Sequence, residues 1–229
     1  LYTEYGNIGR KIFNLLVWFH DRTTAQAFIV EHEADRAILR QIVRKPVYAT
    51  HGSGLNVTGF SRKRPYKNRT LRLGYLSRFH KSKGSHEILK AAKSLPSDRK
   101  LVIAGWDVVG NKYHEAFQRI SENNPNVIFL GRLNSRKEVS QFFNNIDLFL
   151  SPSVREGGNI ALQEAIWHRV PFLTTDVPGC SVLAEIFNCP AIRMKDFGNK
   201  VLDSDLKNLT LNTSDWGKKI KPFLSKNVE

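Results

Sequence analysis

The chain has 229 residues, 41% hydrophobic and 24% charged, an ordinary globular composition with room for one large domain or two small ones. No apolar run approaches the ~18–20 residues that span a bilayer, the start carries no signal-peptide pattern, and two cysteines, Cys180 and Cys189, make neither a disulfide framework nor a zinc pattern. The net charge of +14 points to anionic partners: phosphate ligands, nucleic acid or an acidic membrane surface.

Residues 1–60 form a stretch of their own. The chain opens on Leu1, which reads as a fragment or a processed piece. AFIVEHEADRAIL (27–39) predicts a short strand and a helix, and PVYATHGSGLN (46–56) a strand and a glycine loop. SRKRPYKNRTLR (61–72) holds six cations and no acid, and reads equally as a solvated basic linker.

From residue 71 strands and helices alternate. LRLGYL (71–76) is a strand, and SHEILKAAKSL (85–95) a helix with Ile88, Leu89, Ala92 and Leu95 on one face. KLVIAG (100–105) is a strand, Tyr113, Phe117 and Ile120 mark a helix, and VIFLG (127–131) is a strand. Ser135-x-x-Glu138 is a capping box that opens a helix through Phe142 and Phe143. IDLFL (146–150), a helix after Glu156, PFLTT (171–175), a short helix over 181–187 and PAIRM (190–194) follow, with DWGKKIKPFL (215–224) as a terminal helix. About six strands alternating with helices imply a Rossmann-like α/β fold: a parallel sheet with helices on both faces. Ligands in such sheets bind at the carboxyl ends of the strands, where Arg78, Gly105, Gly131 and Glu156 fall.

The stretch SVREGGNIALQEAIWHRVPFLTTD carries the chemistry. A strand breaks at Ser151-Pro152, then come Glu156, a Gly157-Gly158-Asn159 turn and an apolar-periodic helix with Glu164 two turns in. A helix start offers unpaired N–H groups and the positive end of the helix dipole. Glycines let a phosphate approach it closely. Two carboxylates flanking such a site suit a ligand with phosphates between two polyhydroxylated ends, as in a nucleotide sugar. Against this stand plainer readings. Glu156 serves as a helix-start acid complementing the dipole, Glu164 as an exposed helical residue, and Arg78 and Lys83 as surface cations. Trp106 reads equally as cleft lining or packing. Cys180 reads as a small buried residue.

Taken together these motifs resemble the nucleotide-sugar-binding half of the retaining glycosyltransferases of family 4, which have the two-domain GT-B fold. HGSGLNVTGF (51–60) resembles the interdomain linker, LGYLSRFHKSKGSHEILKAA (73–92) the family's glycine-arginine and lysine-glycine element, and EGGNIALQEAIWHRVPFLTTDVPGC its paired-glutamate motif. The resemblance implies a remnant of the acceptor-side domain over 1–58, the donor-binding domain over 59–212 and a helix crossing back over 213–229. It further implies that Arg78 and Lys83 grip the donor diphosphate, and that Glu156 holds sugar hydroxyls. Glu164 takes the ribose hydroxyls, amides near Gly157, Gly158 and Asn159 meet phosphate or sugar, and the base lies against Gly131, Arg132 and Leu133. No metal and no cofactor are implied; the donor is a UDP or GDP sugar. The chain departs from the pattern at Ser77, at Asn56 and at His168-Arg169-Val170, and His20, His32 and His51 are candidates only by type for the histidine an acceptor domain often supplies.

The activity expected is transfer of a sugar, with retention, to a saccharide or lipid-linked acceptor in polysaccharide or glycolipid assembly. The setting expected is cytoplasmic, with peripheral contact at an acidic inner membrane face and no specific nucleic acid, since the basic stretch lacks interleaved aromatics. The alternatives are a non-catalytic nucleotide-sugar-binding module, a basic membrane-surface or nucleic-acid binder, and a sugar-nucleotide epimerase.

Overall fold

The structure, a computed structural model, describes residues 6–31, 33–50, 70–110, 112–156, 158–203, 206 and 216. The chain divides into two compact units, Leu1–Gly54 and Leu55–Glu229.

The first unit holds α1 (Gly6–Thr23), β1 (Phe28–Val30), α2 (Glu33–Leu39) and β2 (Val47–Ala49). The two strands pair in parallel, Phe28 opposite Val47. The strand and helix expected over 27–39 are present, and α1 is an addition to what the pattern gave. Buried Asp21 ties its end to the approach to β2: the carboxylate accepts the backbone N–H groups of Arg44 and Lys45 at 2.9 and 2.8 Å. Ile12, Leu15, Leu16, Trp18 and Phe19 of α1 are exposed within this unit.

The second unit runs β3 (Leu71–Phe79), α3 (Ser85–Lys93), β4 (Arg99–Asp107), α4 (Lys112–Asn123), β5 (Val127–Gly131), α5 (Arg136–Asn144), β6 (Leu148–Ser151), α6 (Ile160–Trp167), β7 (Phe172–Thr175), α7 (Pro178–Phe187), β8 (Ala191–Ile192) and α8 (Met194–Leu202). All six strands are parallel, in the order β5-β4-β3-β6-β7-β8. The fold is therefore the Rossmann-like sheet expected. Boundaries differ from the sequence reading in instructive ways. β3 and β4 run past the apolar runs to Phe79 and Asp107, because they are central strands paired along nine residues. This puts Arg78 on β3 rather than beyond it. α7 begins at Pro178, whose fixed φ suits a first helical turn. β8 shrinks to two residues at the sheet edge.

Alternation along the strands divides the core. Leu73, Tyr75, Leu101, Ile103, Leu148 and Leu150 face α3, α4 and α8; Val102, Ala104, Phe149 and Phe172 face α5, α6 and α7. Both faces are buried, which is why the strands read as nearly continuous apolar runs. Arg99 is buried and donates to the carbonyls of Val201 and Asp203 at the end of α8. Cys180 and Cys189 are buried free thiols, with burial pushing Cys189 up to about 12.

The strand order reverses between β3 and β6. β4 and β5 build away from β3 on one side, and the chain then crosses to build β6, β7 and β8 on the other. Asp147 pins this junction at its start: its carboxylate accepts the Arg72 N–H at 2.9 Å and its own N–H donates to the Arg72 carbonyl at 2.7 Å. At the carboxyl end, the loops leaving β3 and β6 diverge to opposite faces and open a crevice, the usual ligand position in such sheets.

Candidate active site

The loop after β3 is built to hold one lysine still. His80 caps the short 3₁₀ turn Lys81–Lys83, and Gly84 closes it at φ +70°. Buried Tyr75 donates its hydroxyl to the Lys83 carbonyl at 3.0 Å and pairs with the Ser85 hydroxyl at 2.9 Å. Ser85 Oγ in turn accepts the His80 N–H at 2.9 Å. Burial pushes the Tyr75 phenol well above its ordinary value, so it stays a neutral donor.

The two crevice loops touch. The Val154 N–H donates to the Ser82 carbonyl at 2.8 Å, and a Cβ at Gly84 would lie 2.0 Å from the Pro152 carbonyl oxygen. Above that contact Lys83 Nζ sits 2.7 Å from Glu156 Oε2, and Ser153 donates its hydroxyl to Glu156 Oε1. Two threonines of β7 fix the loop from below: Thr174 Oγ1 donates to the Ser151 carbonyl at 3.1 Å, and Thr175 Oγ1 to the Ser153 carbonyl.

Asn159 joins this loop to α6. Its Oδ1 accepts the Leu162 N–H at 3.1 Å as the helix cap, and its Nδ2 donates to Ser151 Oγ at 2.8 Å and approaches Cys180 Sγ at 3.6 Å. The buried Asn159 side chain is thus committed to the fold, which leaves backbone amides as the groups α6 can offer a ligand. Gly158 is half-buried and its carbonyl accepts the Ile160 N–H at 3.1 Å; Gly157 lies outside the described residues.

Glu164 is not the exposed helical residue that its position alone suggests. It is 7% exposed, with Arg136 Nη1 3.5 Å from its carboxylate. Burial pushes its carboxyl up to about 7, and the Arg136 charge opposes that rise. Arg136 escaped the sequence reading. A signal was there, since a cation at the first position of a helix opposes the dipole and calls for an acidic partner.

At the carboxyl end of the sheet, Arg78 stands opposite Trp106 on the neighbouring strand, so both point to one face. The Arg132 guanidinium lies 4.7 Å from the Trp106 ring centroid, a cation–π contact. Gly131 has φ +67° with open space around it, and Leu133 packs against the core under α5. The capping box is present: Ser135 Oγ accepts the Glu138 N–H, and Glu138 accepts those of Ser135 and Asn134. It fixes the turn that follows Gly131.

The structure thus joins Lys83 to Glu156, Arg136 to Glu164 and Arg132 to Trp106, while Arg78 is exposed in register with Trp106. His20 lies on α1 with Nδ1 2.9 Å from Thr24 Oγ1; His32 and His51 are outside the described residues. Among the described residues no three His, Cys, Asp or Glu side chains converge to hold a metal, and no helix is long and apolar enough to cross a membrane.

An open parallel sheet with a charged crevice at its switch point defines a class of ligand-binding α/β domain found in glycosyltransferases. The family described as glycosyl transferases group 1 matches residues 59–188, more than half the chain, and the chain belongs to it. Among curated relatives, the capsular polysaccharide biosynthesis glycosyltransferase CapM of Staphylococcus aureus is 33% identical over 111 residues, 47% of this chain and 28% of that protein. The matched stretch therefore spans well under half the length of that relative. Among solved structures, a single-substitution mutant of S. aureus TarM, in complex with fondaparinux, α-GlcNAc-glycerol and UDP, is similar with a TM-score of 0.71 at 18% identity, over 95% of this chain and 45% of that one. The sucrose-phosphate synthase of Thermosynechococcus elongatus is similar with a TM-score of 0.72 at 15% identity, over 97% and 60%. At these identities the likeness to solved structures is one of fold.

Proposed function

We propose that this chain is the donor-binding part of a retaining glycosyltransferase of family 4, which moves a sugar from a nucleoside-diphosphate sugar to a saccharide or lipid-linked acceptor. The observation that carries the reading is the meeting of Lys83 and Glu156 at the switch point, beside the start of α6. Arg78, Lys83 and the amides of that helix start neutralise the charge that develops on the departing diphosphate. Glu156 accepts hydrogen bonds from the sugar hydroxyls. Glu164, with Arg136 beside it, accepts those of the ribose, and the base lies along Gly131–Leu133.

The name of CapM supports a setting in polysaccharide assembly, and the UDP bound to TarM favours a uridine donor over a guanosine one. The net charge of +14 supports work at an acidic membrane surface on the cytoplasmic side. The test is donor turnover by the purified protein, with the anomeric configuration of the product read by NMR. We expect a product of retained configuration and a fall of about 100-fold or more in kcat/KM for Arg78→Ala. Unchanged turnover in that variant would remove the diphosphate role, and an inverted product would remove retention.

A further inference from the structure

We infer that the Lys83–Glu156 pair discriminates the intact sugar donor from the spent nucleotide; this rests on the donor-site reading above. The Glu156 side chain is 6% exposed and that of Lys83 23%. Ser153 holds the second carboxylate oxygen, and Thr175 holds the backbone of Ser153. In the empty site, then, the cation meant for the diphosphate is gripped by the carboxylate meant for the sugar. Each neutralises the other, and drawing one away leaves the other charge buried without its counterpart, which is strongly unfavourable.

An intact donor satisfies both ends of that exchange. Its sugar hydroxyls donate to Glu156 in place of the ammonium, while its diphosphate takes Lys83. A bare nucleoside diphosphate satisfies only one end. It draws on Lys83 but brings no hydroxyl to Glu156. Its terminal phosphate, no longer esterified, also carries an extra negative charge toward a carboxylate in a poorly solvated site. Glu156 thus opposes the spent nucleotide twice, by retaining Lys83 and by repelling the new charge. The consequence is weak binding of the product and faster clearing of the site, the step that limits many enzymes.

The experiment is calorimetric titration of the unmodified chain, Glu156→Gln, Lys83→Met and the double variant. The ligands are UDP and UDP-glucose with UDP-N-acetylglucosamine, and GDP with GDP-mannose. Glutamine keeps the shape of Glu156 and still accepts the Ser153 hydroxyl, and circular dichroism checks the fold. We expect Glu156→Gln to bind the bare diphosphate about fivefold more tightly and to lose the preference for the sugar conjugate. In the Lys83→Met background most of that gain disappears. Glu156→Asp, one methylene shorter, moves the same way by a smaller factor and serves if the glutamine variant fails to fold. Unchanged or weaker binding of the bare diphosphate by the Glu156 variants overturns the inference, as does a gain that persists in full without Lys83. A folded, unmodified chain that binds neither form overturns the donor-site reading itself, and this inference with it.

Discussion

Glu164 is a candidate site residue whose chemistry is set by its surroundings. Its carboxyl is raised by burial to about 7 from an ordinary 4.5, so the folded chain holds this proton longer than the unfolded one. Between those values the folded state binds more protons, and stability falls as pH rises through the window, by at most on the order of 3 kcal/mol. Glu164→Gln removes that slope. Its thermal midpoint exceeds that of the unmodified chain near pH 8 and matches it near pH 4, where both side chains are neutral. A carboxylate that accepts ribose hydroxyls works best when charged, so nucleotide affinity rises from about pH 6 to about pH 8 and does so less steeply in the variant. Equal slopes in both proteins would detach Glu164 from the ligand. The spacing of Glu156 and Glu164 and the position of Lys83 were legible in the chain. The burial of Glu164 was not, because helical periodicity says which face a residue lies on but not what packs against it. For the same reason no pattern singles out Ser153 or Tyr75, although one donates to Glu156 and the other holds the backbone of Lys83.

At the scale of elements, the site depends on two loops pressed together at Gly84. A left-handed φ of +70° and a Cβ 2.0 Å from the Pro152 carbonyl leave room for glycine alone. The clash is with backbone, which cannot swing aside. Gly84→Ala therefore costs about 2–4 kcal/mol, read from the denaturation midpoint, and weakens donor binding by parting Lys83 from Glu156. A variant with native affinity would mean that the two loops need not touch. Gly74 behaves differently: its φ is unremarkable, but a Cβ there would meet Ile146 Cδ1 at 2.4 Å, so Gly74→Ala overpacks β3 against Ile146 and Phe142 by about 1–3 kcal/mol without reaching the site. The elements themselves were legible wherever a period and a stop signal coincide, as in VIFLG and in the Ser135–Glu138 box. They were misjudged where pairing extends a strand past its apolar run, as at Ser77–Phe79, because only partner strands reveal that extension.

The whole second unit rests on a sheet buried on both faces, and one late residue closes it. Trp216 is 1% exposed, with its ring 6.0 Å from that of Phe172 and 5.2 Å from that of Phe187. Trp216→Ala should lower stability by about 3–5 kcal/mol, visible as a lower thermal midpoint; a smaller loss than about 1 kcal/mol would place the indole outside the core. Strand order follows from alternating strands and helices only up to the choice of where the order reverses. That choice is set by long-range packing such as the Asp147–Arg72 bonds, which no local pattern reveals. The expected terminal helix over 215–224 lies, apart from Trp216, outside the described residues. The central claim is that this switch point binds a nucleoside-diphosphate sugar. Its most direct measurement is calorimetric titration of the folded chain with UDP, GDP and ADP and their sugar conjugates, with Arg78→Ala and Glu164→Ala alongside. The account expects one nucleotide to bind selectively and each variant to lose about tenfold or more in affinity. Equal binding of all three nucleotides, unaltered in both variants, would contradict it.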